Sequence, residues 1–341
     1  DFYIKDTFHS LEDITMSAAT ELRNLSGRTQ EGYTVTVTLV DDDGRKVSEN
    51  ISESTRIEKN ASKLVDLDLK VQSPALWSEE KPYLYTVIFE VKDKNGNTTE
   101  TTYARHGFRK VELKGKAAYI NGQKILFKGV NRHDIHPVYG KSVRTEDMMH
   151  DVFLFKQNNI NTLRTSHYPN DTKMYALCDH YGIYVMDEAN IEAHGNSEIS
   201  SMESWIPAFV DRVERMVLRD RNHPCILLWS LGNESAGGDN ARAMADTVKA
   251  MDPSRIVFYD SDRSVSEIYD DSYLPPQRML EVAEKVTDKP FMMREYVHAM
   301  GNSLGNLQEY WDIIEQRDDI AGAAIWEWND HGIAKKIDGS P

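Results

Sequence analysis

Cys225-Ile226-Leu227-Leu228-Trp229-Ser230-Leu231-Gly232-Asn233-Glu234 is an apolar run that closes on an amide and a carboxylate. A run of this kind, without alternation, suits a strand buried on both faces, as in a parallel sheet covered by crossover helices. The same design recurs on both sides of it. Strands are predicted at Ile125–His133, Asn161–His167, Gly182–Glu192, Cys225–Glu234, Arg255–Asp260, Ser266–Tyr273, Pro290–Tyr296 and Gly322–Asp330. Amphipathic stretches at Thr145–Asn158, Thr172–His180, Pro207–Asp220, Asp239–Met251, Gln277–Val286 and Leu307–Gln316 read as the helices between them. Eight β units in series predict a (β/α)8 TIM barrel over residues 112–341. The chain stops before an eighth helix, so the barrel is expected to lack its last helix and the sequence to be part of a longer protein.

Residues 1–111 follow a different period. Tyr33 to Val40, Leu64 to Leu69 and Leu84 to Val91 alternate apolar and polar residues, the mark of strands with one buried face. Asp41-Asp42-Asp43-Gly44 and Lys94-Asn95-Gly96-Asn97 supply turns, the second with the chemistry of a hairpin loop. Five or more such strands predict an immunoglobulin-like antiparallel β-sandwich that serves as scaffold.

Bulk composition narrows the partners. With 40 Lys+Arg against 55 Asp+Glu the 341-residue chain carries a formal charge of -15, which repels phosphate backbones and anionic membranes but not a neutral ligand. No apolar run is long enough to span a bilayer, and no signal-peptide pattern opens the chain. A cytoplasmic location is favoured, although the chain begins without Met and a native N-terminus upstream is expected. Two cysteines, Cys178 and Cys225, are too few for a disulfide framework and read as buried free thiols.

In a (β/α)8 barrel the chemistry gathers at the C-terminal ends of the strands. Those positions are heavily polar: Asn131-Arg132-His133, Arg164 to His167, Asp187 to His194, Asn233-Glu234, Tyr273, Arg294 to His298 and Trp326 to Asp330. Unpaired carboxylates beside apolar runs are costly to bury, and a shared polar pocket explains them together. Glu234 and Glu295, on the fourth and seventh strands, face each other across such a mouth. Paired carboxylates are the minimal equipment for glycoside hydrolysis, with a separation of roughly 5–5.5 Å for retention and 6.5–9.5 Å for inversion. Glu192 and His194, two apart in extended chain, point to one side. With Glu234 they either hold a hard divalent ion, Mg²⁺ or Mn²⁺, or orient a histidine. Trp326 and Tyr273 fit a core or, at a barrel mouth, sugar stacking and a hydroxyl for a carboxylate. The charged stretch Asp211 to Arg221 reads as a solvated helix face, and Asn131 to His136 as hydrogen-bonding groups rather than a second metal site.

Read in order, Gly129 to His133, Arg164 to Pro169, Asp187 to Gly195, Trp229 to Glu234 and Glu295 to Leu304 resemble the family 2 glycoside hydrolases, most closely the bacterial β-galactosidases that cleave lactose. The resemblance covers nearly the whole chain. It implies a retaining exo-β-galactosidase with Glu295 as nucleophile and Glu234 as general acid/base. It implies Asn233 on the sugar 2-hydroxyl, Arg164 keeping Glu295 ionised, His133 and His167 on galactose hydroxyls, Tyr273 beside the nucleophile and Trp326 flooring the subsite. Glu192, His194 and Glu234 match the Mg²⁺ ligands. A Na⁺ site and homo-oligomerisation are implied for the full-length protein, with the Na⁺ site incomplete here.

Two positions depart from the family pattern: Ile135 stands where a histidine is often found, and Arg294 precedes the nucleophile where a small or apolar residue is usual. The segment around Tyr273, Glu267 to Pro276, matches poorly. A family 2 β-glucuronidase or β-mannosidase, or a non-catalytic carbohydrate-binding fragment, are the alternative readings. A glucuronidase should present basic residues to the sugar carboxylate, and the motifs supply none beyond Arg164.

Overall fold

The computed structural model describes residues 1–335. Two compact units divide it: Asp1–Arg109 with Asn222–Pro224, and the remainder from Lys110.

The first unit has eight strands, with burial alternating most clearly along β2, β6 and β7: β1 (Phe2–Phe8), β2 (Asp13–Arg23), β3 (Gln30–Val40), β4 (Lys46–Ile51), β5 (Thr55–Ile57), β6 (Ser62–Gln72), β7 (Tyr85–Lys92) and β8 (Thr98–His106). They form an antiparallel sheet ordered β1-β2-β6 and another ordered β4-β3-β7-β8, with β5 on β3. Period-2 chemistry sets the inward rows: Ile14, Met16 and Ala18 of one sheet meet Val35, Val37, Val87 and Phe89 of the other in one apolar core. The predicted turns are where the sequence places them. Asp93 N–H bonds the Asn97 carbonyl at 2.9 Å between β7 and β8, and Gly96 takes the positive φ of 83° that this loop requires.

The second unit opens with a small antiparallel sheet that the sequence reading did not anticipate: β9 (Val111–Lys114), β10 (Ala117–Ile120) and β11 (Gln123–Ile125). Asn121-Gly122, with φ of 50° and 78°, makes the tight turn between β10 and β11. Ile125 therefore belongs to a hairpin, and the first barrel strand begins later, at β12 (Phe127–Asn131). The others are β13 (Thr162–Arg164), β14 (Tyr184–Glu188), β15 (Ile226–Ser230), β16 (Ile256–Phe258), β17 (Tyr269–Asp270), β18 (Phe291–Tyr296) and β19 (Ile320–Ile325). All pair in parallel, in the order β16-β15-β14-β13-β12-β19-β18-β17. The first and eighth strands are thus neighbours and the sheet curls on itself. At the seam between the fifth and sixth, Glu267 N–H donates to the Val257 carbonyl at 2.9 Å. Gly322 shows how tightly β12 and β19 approach: with φ of 141°, a Cβ there would collide with the Phe127 backbone.

Helices α1 (Thr145–Gln157), α2 (Thr172–Tyr181), α3 (Ile206–Asp220), α4 (Asp239–Met251), α5 (Pro276–Lys285) and α6 (Leu307–Ile314) lie between strands, as their amphipathic spacing predicts. Among the described residues no helix follows β19, and residues 336–341, on which the expectation of a missing last helix also bears, lie outside them. No described helix is long and apolar enough to cross a membrane. Cys178 and Cys225 are buried and unbridged.

Every barrel strand is shorter than its predicted span, and the last also begins two residues earlier, at Ile320. The difference matters at the mouth: Glu192, His194, Asn233, Glu234, Tyr273 and Trp326 all follow the ends of their strands. The alternation argument for Glu192 and His194 therefore does not apply to them as written. Glu192 makes an isolated parallel bridge with Asn233, and His194 sits in a turn.

Candidate active site

Arg164, at the end of β13, has no solvent exposure and organises the mouth. A buried guanidinium must spend each donor on a partner. Its Nε donates to Glu188 Oε2 (2.8 Å), Nη1 to Asn131 Oδ1 (2.9 Å) and to Glu295 Oε1 (2.7 Å), and Nη2 to Asn233 Oδ1 (2.9 Å). Four barrel strands are tied through one side chain.

Glu295, on β18 and only 3% exposed, accepts a second bond from the Tyr273 hydroxyl at 2.6 Å, and Arg294 Nε lies 3.5 Å from its Oε1. Burial alone would raise its pKa. Arg164, Arg294 and the Tyr273 hydroxyl outweigh burial and hold it down at about 2. Tyr273 in turn titrates above its ordinary value, through burial and the adjacent Glu295 charge, and so remains a donor. Tyr273 and Glu234 both hold positive φ, 60° and 35°, which non-glycine residues adopt only when their surroundings enforce it. In Tyr273 the enforcing contact includes its own N–H on the Glu295 carbonyl, at 3.0 Å.

Glu234 has a different environment. Its side chain is 35% exposed, Oε2 lies 2.9 Å from His194 Nδ1, and Oε1 lies 3.4 Å from Arg294 Nη2. One guanidinium therefore reaches both carboxylates. Arg294 is itself enclosed by acids: Nη1 donates to Asp270 and Nη2 lies 3.2 Å from Asp260 Oδ2. Burial and Asp270 push the Asp260 carboxyl up to about 6 in spite of Arg294.

The remaining predicted residues join the same set. Asn233 Nδ2 donates to Glu192 Oε1 at 3.1 Å. His167 Nδ1 donates to Glu188 Oε1 at 2.7 Å, and its ring stacks on Trp326 with centroids 4.9 Å apart and planes at 12°. His133 meets His167 edge-on at 5.3 Å and Trp326 at 5.7 Å. Burial, with the side chains of His331, His167 and Lys141 beside it, lowers the His133 pKa to about 3, so its imidazole is neutral. Contacts thus connect all ten residues singled out from the sequence. Glu192, His194 and Glu234 are not drawn into one tight shell, since Glu192 is bonded to Asn233 instead.

The arrangement offers an enclosed, ionised carboxylate, a second and more exposed carboxylate, and an aromatic floor flanked by imidazoles. Two family models match the chain: "Glycosyl hydrolases family 2, TIM barrel domain" over residues 111–340 and "Glycosyl hydrolases family 2" over residues 1–109. This chain belongs to glycosyl hydrolase family 2. Among curated family 2 proteins it is 37% identical to a β-galactosidase of Priestia megaterium, over 98% of this chain and 34% of that protein. It is 41% identical to a β-galactosidase of Photobacterium profundum, over 78% and 28% respectively. The chain thus spans about a third of the length of the curated relatives it matches. Solved structures share the fold at lower identity: a putative β-galactosidase from Bacteroides fragilis (TM-score 0.81, 20% identity, covering 96% of this chain and 54% of that one) and a Bacteroides uniformis β-glucuronidase (TM-score 0.82, 18%, 96% and 45%). A family 2 β-galacturonidase from Eisenbergiella tayi, bound to galacturonate, superposes with a TM-score of 0.80 at 22% identity, over 96% and 64%.

Several residues of the family 2 mouth were not singled out from sequence. Glu188 is fully buried and accepts from Arg164, His167 and Ser230, and these partners outweigh burial to keep its pKa low. Asn131 donates to the carbonyls of Arg294, Ala324 and Ile325. Both lie in stretches marked as strand ends, so position was the available signal. Asp260 closes the predicted fifth strand and carried the same signal, whereas Asp270 carried none, because its pairing with Arg294 depends on the fold.

Proposed function

We propose that the chain carries the catalytic centre of a retaining exo-β-galactosidase that releases terminal β-D-galactose by double displacement. The observation that carries this reading is the unequal setting of the two carboxylates. Glu295 is buried and held ionised at about 2, as a nucleophile requires, while Glu234 has a third of its side chain open to solvent, as a group exchanging protons with water requires.

Glu295 attacks the anomeric carbon as the Glu234 carboxylic acid gives its proton to the glycosidic oxygen, and the aglycone departs as an alcohol. Glu234, now a carboxylate, takes a proton from water, whose oxygen attacks the same carbon and releases Glu295. Two inversions retain configuration. Arg164 and Tyr273 hold the nucleophile, Asn233 is placed to bond the 2-hydroxyl, and Trp326 with His133 and His167 receives the galactose ring.

Mg²⁺, or Mn²⁺ in its place, suits Glu192, His194 and Glu234: two carboxylates and an imidazole at a solvent-open position, with His194 Nδ1 already 2.9 Å from Glu234 Oε2. When bound, the ion would supply positive charge that tunes the Glu234 carboxyl. A Na⁺ site and an oligomeric state are proposed for the longer protein alone.

A uronidase is the second reading, favoured by the glucuronidase and galacturonidase structures of similar fold. Arg294 is the natural candidate to meet a sugar carboxylate, yet Asp260, Asp270, Glu234 and Glu295 surround its charge, which favours a neutral sugar. The test is labelling of the full-length protein with 2-deoxy-2-fluoro-β-galactosyl fluoride and peptide mass spectrometry. The expected adduct is on Glu295, absent in Glu295→Gln. An adduct elsewhere, or faster turnover of nitrophenyl glucuronide than galactoside, would overturn the proposal. The 341 residues alone are expected to turn over nitrophenyl galactoside weakly or not at all.

A further inference from the structure

We propose that His133, Glu327 and His331 form a metal site at the barrel mouth, separate from Glu192, His194 and Glu234, and that it takes a borderline divalent ion such as Zn²⁺. One ligand atom from each residue lies within 4.8 Å of the other two. Glu327 Oε2 is 4.0 Å from His133 Nε2 and 2.8 Å from His331 Nε2. Those two separations bracket the ~3.4 Å between ligand atoms on a tetrahedral ion with bonds of about 2.0–2.1 Å.

Three further observations favour an ion over an ordinary cluster. First, Glu327 Oε2 is enclosed yet receives no aligned hydrogen bond among the described residues: His331 is near enough but not directed at it. A buried acceptor without a partner is costly, and a cation satisfies it. Second, the other nitrogen of the His133 ring is engaged, with Nδ1 3.1 Å from the Tyr168 hydroxyl, which also accepts from Lys141. An imidazole anchored at one nitrogen presents the other to a metal in a fixed orientation. Third, the surrounding charges suit a cation. The Glu295 and Asp330 carboxylates act on Glu327, against the single Lys141 charge on the His133 side.

Two imidazoles and one carboxylate select the ion. Mg²⁺ prefers oxygen ligands, whereas Zn²⁺ accepts nitrogen and oxygen and, with three protein ligands, keeps a fourth position for water. On the glycosidase reading, which this clause alone relies on, Zn²⁺ and a galactose hydroxyl compete for His133 Nε2.

The experiment is Zn²⁺ titration of the chelator-stripped full-length protein in excess Mg²⁺, by competition with a chromophoric chelator. Visible absorption of Co²⁺ in the same site serves as a second readout. One tightly held equivalent is expected, weakened at least roughly tenfold in His331→Ala and in Glu327→Gln and retained in His194→Ala. His331 lies at the surface of the cluster and Glu327→Gln preserves shape; metal-free circular dichroism and melting of both variants confirm that lost binding is not lost fold. Absence of a bound equivalent, equal binding by the His331 and Glu327 variants, or loss of binding in His194→Ala alone overturns the proposal.

Discussion

Tyr273→Phe removes one hydroxyl from the pocket and nothing else. That hydroxyl donates to Glu295 Oε2 at 2.6 Å, and the residue that carries it is 42% exposed, so the fold has little reason to respond. Glu295 is held at about 2 rather than 4.5. At ~1.4 kcal/mol per pH unit, the displacement amounts to about 3 kcal/mol between protonation states. Burial opposes it, and Arg164, Arg294 and Tyr273 produce it. A hydrogen bond to a charged acceptor contributes about 1.5–3 kcal/mol, so its loss lifts the Glu295 pKa by about one to two units. The sign follows from which form works. A nucleophile acts ionised, so activity is present above the pKa and lost below it, and the acid limb of kcat/KM should move from about 2 to about 3–4. Stability follows the same direction: the contribution of this depressed carboxylate is present above its ordinary pKa and is lost as pH falls through the folded value, earlier in the variant. The assay is kcat/KM of the full-length protein on nitrophenyl galactoside between about pH 3 and 7, with activity after return to neutrality as the control for unfolding. Across that window wild type should stay nearly flat, and a kcat/KM equally flat down to about pH 3 in Tyr273→Phe would refute the role given to the hydroxyl.

Gly322→Ala should cost about 3 kcal/mol, read as a lower urea midpoint, because φ of 141° is strained for alanine and the new Cβ meets the Phe127 backbone across the β12–β19 pair. Asp252→Ala should cost about 3–5 kcal/mol at neutral pH, since it strands the buried Arg255 guanidinium and the Trp229 indole that donates to Asp252 at 3.0 Å. Burial opposes ionisation of Asp252, but Arg255, Ser254 and Trp229 hold its pKa below the usual carboxylate range. Its contribution is therefore present above about pH 4 and fades as pH falls, and urea melts of variant and wild type should converge in acid.

The helices were legible because their apolar faces repeat at helical spacing: α1, predicted over Thr145–Asn158, spans Thr145–Gln157, and α4 matches at both ends. Strand existence was equally legible, whereas strand length was not. Hydrophobic runs measure burial, and a residue can remain buried after the ladder has ended; Asn233 is 2% exposed yet lies beyond β15. The sixth strand, predicted over Ser266–Tyr273, is reduced to Tyr269–Asp270. Ser266 Oγ is turned back to the Tyr259 N–H and Glu267 pairs with Val257, contacts that depend on residues of the neighbouring barrel strand. The β9–β11 hairpins escaped because strands of three or four residues are too short for alternation to stand out, although Asn121-Gly122 was a readable turn.

Arg294 marks the boundary of what motifs convey. Its identity departs from the family pattern, and nothing in the motifs says what the departure does to Glu234 and Glu295. The structure puts its guanidinium within 3.5 Å of both. A fixed cation there favours the ionised form of Glu295, which burial alone would disfavour. Asp260 and Asp270 offset its charge. Asp260 Oδ2 lies 3.2 Å from Arg294 Nη2 and also accepts the Glu234 N–H at 3.1 Å, so acidic charge is placed on the Glu234 side of the cation, while Arg164 adds positive charge on the Glu295 side. The two chemically identical side chains thus sit in unequal charge surroundings. Arg294 and its aspartates therefore act as one unit, and its meaning is readable only once strands far apart in the sequence have been brought together.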